Sequence, residues 1–192
     1  MRVRRIRGFT LVELMVTLVI VAILLALAVP NFRTLIENSR QNGVVDSLVS
    51  SFNAARNTAL SRDLTVTVCP VTPPATPGQP AGSSCTTSWG SAATGSAWMV
   101  SVQPPAPAAA VILSTQIVPA GNQLTITPTL VNGATTITFT GRGLVTSSGM
   151  LTVCDARGAA SARAVEVNPT GFVQSSATRG FAPDGITPLA CP

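Results

Sequence analysis

The sequence predicts an α+β protein in which one long N-terminal helix packs on a small antiparallel β-sandwich. Three observations carry this reading. An apolar stretch from Phe9 to Val29 holds a single charged residue, Glu13. Beyond it, apolar residues recur at three-four spacing as far as Ala59, the pattern of one helical face. After Arg62 the composition turns to short alternating runs rich in β-branched residues, separated by glycine turns. The expected organisation is a basic leader over 1–8, an apolar helix over 9–29, an amphipathic helix over 30–62 and a β-rich domain over 63–192.

The 21 residues from Phe9 to Val29 would span ~31 Å as a helix, about the hydrocarbon thickness of a bilayer. Arg2, Arg4, Arg5 and Arg7 precede them with no acidic residue between. Short basic flanks stay cytoplasmic, so the N-terminus is expected inside and the rest of the chain across the membrane. Glu13 is the anomaly, because a carboxylate at membrane depth is costly unless something partners it. A cut between Gly8 and Phe9 would create an α-ammonium four residues before Glu13. That ammonium can serve as counter-ion in the same chain or in a neighbouring helix. Two plainer readings compete. A secretory signal peptide could be cleaved at Ala26-Leu27-Ala28, but its apolar core would be unusually long and would carry an acid. An unprocessed anchor leaves Glu13 unexplained.

The second half of the helix rests on Phe32, Leu35, Ile36, Val45, Leu48, Val49, Phe52, Ala55 and Ala59, with most charges on other faces. Pro30 lacks a backbone donor and crowds the carbonyl four residues back, so a kink or local melting is expected there. A gap in the stripe between Ile36 and Val44 speaks against a coiled coil.

Strands are expected at Leu64–Cys69, Trp98–Gln103, Val111–Val118, Gln123–Thr127, Thr135–Thr140, Met150–Asp155, Ala164–Asn168 and Gly171–Gln174. Asn132-Gly133, Ser148-Gly149 and Arg157-Gly158 read as turns between them. Residues 70–95, rich in proline, serine, glycine and threonine, read as a long loop, and Pro104–Pro107 as a stiff connector. Trp89, Trp98, Phe139 and Phe172 are expected to pack in the core or on the sheets.

The cysteines are Cys69, Cys85, Cys154 and Cys191, with no CxxC and no histidine to complete a zinc site. The orientation places them in an oxidising compartment, where disulfides form. Three pairings exist. Cys69–Cys85 with Cys154–Cys191 is preferred because each bond then closes one loop or ties down one end, and the other two stay open.

The formal charge of +5 includes four arginines of the leader, and without them eight arginines face seven acids. That leaves none of the concentrated positive charge a phosphate-binding surface needs. Lysine, histidine and tyrosine are absent, which removes most general bases and imidazole metal ligands. No enzymatic activity, cofactor or metal is expected.

Gly8-Phe9-Thr10-Leu11-Val12-Glu13 after a short basic leader resembles the class III signal of type IV pilins and pseudopilins. Pro30 also matches that family's pattern. The resemblance implies a pilin-like fold, cleavage after Gly8 by a prepilin peptidase, and methylation of Phe9. It further implies an inner-membrane anchor that later packs with other pilin subunits in a filament core, the domain lying in the periplasm. Val66-Thr67-Val68-Cys69, Phe139-Thr140-Gly141-Arg142-Gly143, Leu151-Thr152-Val153-Cys154-Asp155 and Ala164-Val165-Glu166-Val167 narrow the likeness to GspH/FimT-like minor pilins or pseudopilins. Some FimT-like pilins bind DNA through Gly-Arg-x-Arg; the corresponding Gly171-Phe172-Val173-Gln174 lacks both arginines. Arg142, Arg157, Arg163 and Arg179 remain as candidate DNA contacts, so nucleic acid is the alternative partner. The function implied first is a structural subunit of a type IV pilus or type II secretion pseudopilus.

Overall fold

The computed structural model describes residues 9–76, 78–121 and 123–192, and of residues 30 and 31 the backbone only. One helix, α1, runs from Leu11 to Arg62. Its start is set by Thr10, whose hydroxyl accepts the Glu13 N–H at 3.2 Å, an N-cap in a Thr-x-x-Glu context. Its end is set by Asp63, which turns left-handed at φ 50° and lets the Leu64 N–H reach back to the Ala59 carbonyl at 3.3 Å. That is a six-to-one closure normally built on glycine.

The chain divides into two compact units, one ending at Ser39 and one running from Arg40 to Pro192. In the first, the large apolar side chains from Phe9 to Val29 are between 46% and 76% exposed. The backbone at position 30 is helical, so the expected melting does not occur. Phe32, Leu35 and Ile36 are exposed as well. Burial along α1 therefore begins at Gln41, about two and a half turns later than the apolar stripe suggested.

In the second unit eight strands form two antiparallel sheets. They are β1 (Thr65–Pro70), β2 (Ser96–Gln103), β3 (Val111–Val118), β4 (Thr125–Leu130), β5 (Ile137–Phe139), β6 (Gly149–Cys154), β7 (Arg163–Val167) and β8 (Val173–Ser175). One sheet has the order β3-β2-β1-β5, the other β4-β6-β7-β8. A single core joins them to α1: Val45, Leu48, Phe52 and Ala55 of the helix meet Val66, Trp98 and Phe139 of one sheet and Ile126, Leu151 and Val165 of the other. Two-residue alternation puts these strand residues on the inner faces.

Sheet β3-β2-β1-β5 has a second, smaller core on its outer face. Cys69, Val71, Ala97 and Met99 are buried there beneath Ala81 of the 71–95 loop. That loop is pinned by the Cys69–Cys85 disulfide and by Trp89, whose indole N–H donates to the Thr135 carbonyl at 2.9 Å. Cys154 is joined to Cys191, tying the last residues to β6.

Three expectations are corrected. The strand expected at Gln123–Thr127 lies at Thr125–Leu130 and runs through Pro128. Proline is admitted because β4 is an edge strand with only β6 beside it, so the missing donor costs no ladder bond. The strand expected at Thr135–Thr140 shortens to three residues. Phe172 is 54% exposed, because β8 starts at Val173, two residues later than expected, and leaves it outside the strand.

The two disulfides close loops of 16 and 37 residues, which by loop entropy stabilise the fold by ~3 and ~4 kcal/mol. Replacing Cys154 and Cys191 together by serine should lower the denaturation midpoint at least as much as replacing Cys69 and Cys85. Urea unfolding of the two double variants checks the order.

Candidate functional site

Two places carry the sequence candidates. The first is the start of α1. Gly8 lies outside the described residues. Phe9 and Glu13 flank the Thr10 cap, and Glu13 occupies the first helical turn, where the exposed N–H groups favour negative charge. Among the described residues no hydrogen-bond or ion-pair partner meets the Glu13 carboxylate. Thr17, the next polar side chain, is satisfied within the helix by the Leu14 carbonyl at 2.8 Å. The helix is long and apolar enough to cross a membrane, and no part of its apolar window is buried. Glu13 is its one charge up to residue 29.

The second place is a polar knot between α1 and the β4-β6-β7-β8 side of the globular unit. Gln41 is fully buried and donates through Nε2 to the Val153 carbonyl at 2.9 Å. Its Oε1 accepts from Arg179 Nη1. Next to it, Asn42 Oδ1 accepts from two guanidiniums, Arg163 Nη1 at 2.9 Å and Arg179 Nη2 at 3.1 Å. Arg179 also donates to the Ser161 carbonyl at 3.2 Å, and Arg163 to the Ser176 carbonyl. Arg157, close enough for its charge to act on Arg179, forms a two-pronged pair with Asp155, at 3.0 Å from Nε and 2.5 Å from Nη2.

Three of the four candidate arginines therefore gather, and Arg142 does not: it lies on the turn after β5. Burial lowers the pKa of Arg179 from its ordinary value, the charges of Arg163 and Arg157 lower it further, and Asp155 opposes them. The guanidinium stays charged throughout the accessible range. Arg163 and Arg179 donate to neutral amide and carbonyl oxygens of their own chain. Chemically the knot is a fastener, in which buried acceptors are satisfied by donors from three segments.

Gly171-Phe172-Val173-Gln174 offers less to an anion. Gly171 is buried with φ 76°, and a Cβ there would overlap the Gly143 carbonyl oxygen. The Gln174 amide donates to Glu166 Oε2 at 2.8 Å, which sets a carboxylate beside the segment. Among the described residues no group of three metal-ligating side chains converges.

Gln41 and Asn42 escaped sequence reasoning. A signal was present: Gln41 falls on the three-four series that continues through Val45, Leu48 and Phe52, inside the apparent gap of the stripe. The Thr10–Glu13 spacing is likewise a capping-box signature carried by the residues themselves.

The profile of the family described as type II transport protein GspH matches residues 44–171. That of the prokaryotic N-terminal methylation motif matches residues 3–29. No curated protein matches the chain. Among solved structures, a crystal structure of the Pseudomonas aeruginosa type IV minor pilin FimU superposes with a TM-score of 0.53 at 14% identity, covering 81% of this chain and 98% of that one. A second crystal form gives 0.51 at 14%, covering 79% and 99%. At that identity the likeness establishes the fold.

Gln41→Ala removes the buried bonds to the Val153 carbonyl and to Arg179 Nη1 and should destabilise the globular unit by roughly 2 kcal/mol. Arg142→Ala, on a surface turn, should change stability by less than about 0.5 kcal/mol. Denaturant midpoints of the two variants measure the contrast.

Proposed function

Because the chain belongs to the GspH family of type II transport proteins, we propose that it is a minor pilin or pseudopilin, a structural subunit rather than an enzyme. In this reading prepilin peptidase cuts after Gly8, Phe9 is methylated, and the subunit joins or primes a type IV pilus or type II secretion pseudopilus. The bare apolar surface from Phe9 to Val29, nearly all of it on α1, is the observation that carries the proposal. Twenty-one residues without internal burial need lipid around them before assembly and other helices after it.

Glu13 gives the assembly its register. In lipid or in a helical core its charge needs a counter-ion, and the amine released at Phe9 is the chemically matched one. Pairing with the Phe9 amine of a neighbouring subunit would fix how far one helix slides past the next. The aliphatic side chains between them would add area but little specificity. The anchor is assigned to the inner membrane with its N-terminus cytoplasmic and its globular unit periplasmic, in keeping with the leader arginines and with two disulfides. A bend at Pro30 belongs to the same proposal.

DNA capture is the second reading, favoured by the gathering of Arg157, Arg163 and Arg179. Against it stand the neutral acceptors that Arg163 and Arg179 already serve and the Glu166 carboxylate beside Gln174. The structural role is the better supported.

Glu13→Ala should leave insertion and cleavage intact while sharply reducing the assembled fraction. Mass spectrometry of the native N-terminus and shear-released filament yield read the two halves of this outcome. Normal assembly by the variant would overturn the register mechanism. In a mobility-shift assay at physiological salt the purified chain should not retard duplex DNA; salt-sensitive retardation lost on replacing Arg157, Arg163 and Arg179 would favour the second reading.

A further inference from the structure

We propose that β3 is a docking edge for an extended, uncharged segment of another polypeptide, which adds beside Val111–Val118 as a further strand. The other three sheet edges are closed to such an addition. β5 and β8 are three residues long, and β4 carries Pro128. Short strands and prolines are the usual devices that keep sheet edges from pairing. β3 has neither: it is eight residues long and only Val118 is buried.

Its one irregularity is the register shift against β2 between Ile112 and Ser114, which leaves Leu113 without a partner and Ser114–Val118 as an unbroken run. Val111, Ile112, Leu113 and Ile117 are all substantially exposed. An edge of this kind offers unpaired backbone groups, which only another extended backbone can satisfy along its length.

The chemistry of the occupant is set by charge. No acidic or basic residue occurs between Leu64 and Gly141, a run of 78 residues that includes all of β1 to β5. Natural edges are usually guarded by lysine or an inward-pointing charge; this one, and everything paired with it, is neutral. Charged side chains on an incoming strand would find no counter-ion, whereas threonine, valine or isoleucine would match the exposed row. At the Val118 end the edge continues into an apolar groove of about 630 Å3, lined by Pro74, Ala75, Pro80, Ile117 and Pro119, with room for side chains beyond the added strand. Docking of this kind is independent of whether the chain enters a filament.

The test uses the full chain in detergent micelles and two capped peptides, Thr-Val-Thr-Val-Thr and Lys-Val-Lys-Val-Lys. Amide exchange is followed by NMR. The neutral peptide should slow exchange across Ser114–Val118 by at least about tenfold while amides of β1 and α1 stay unchanged. The lysine peptide should not. Thr115→Lys and Ile117→Lys, both on exposed side chains, should weaken the neutral peptide by at least about tenfold, an order expected from losing an edge compatible with pairing. Absence of protection at millimolar peptide, equal protection by the lysine peptide, or indifference to both variants would overturn the proposal. Concentration-dependent protection of β3 without any peptide would overturn it as well, by making a second copy the occupant.

Discussion

A single helix must satisfy two surroundings, and the rest of the molecule is arranged around that constraint. Up to Val29, α1 offers apolar side chains on nearly all sides, and up to Ser39 it buries none of the large ones. From Gln41 on it offers one face only, and that face holds the two sheets together. Val45, Leu48, Phe52 and Ala55 are the residues that Trp98, Phe139, Leu151 and Val165 share. Without the helix the inner faces of both sheets would be left to close on each other with a helix-sized void, a loss no compact domain tolerates.

Apolar contact alone does not fix the helix in rotation or along its axis. The polar contacts do. Gln41 and Asn42 sit at the edge of the apolar face and are held by a carbonyl of β6 and by guanidiniums from β7 and from the segment after β8. Farther along, Ser51 accepts the indole N–H of Trp98 at 3.0 Å, a buried bond between helix and β2. Buried hydrogen bonds are costly to misplace, so a few of them select one docking among many of similar apolar area. Arg163 and Arg179 therefore serve the fold before they can serve any ligand.

Much of this was legible in the residues. The long helix, the abrupt change at Arg62 and the position of β3 follow from periodicity and composition, and Gly8-Phe9 with Glu13 marks the family in a single hexapeptide. Other features depended on tertiary context. Phe32, Leu35 and Ile36 have the spacing of a buried face, yet nothing covers them, since spacing records a stripe and not its partner. The strand expected to end at Thr127 runs on through Pro128, because local chemistry cannot say which strand lies at an edge. Phe172 looked like core because aromatics usually are; its neighbour Gly171 takes the buried position, pressed on Gly143 where no side chain fits.

Each cystine joins cysteines that are consecutive along the chain, Cys69 with Cys85 and Cys154 with Cys191. In the proposed orientation the globular unit would cross the membrane from its anchor-proximal end, and its thiols would emerge into an oxidising space in that same sequence. The first pair could then close before the third sulfur arrives, so that order of delivery would favour the connectivity observed. Pairing of neighbours in sequence would then be reached by oxidation alone, with no step of thiol–disulfide exchange.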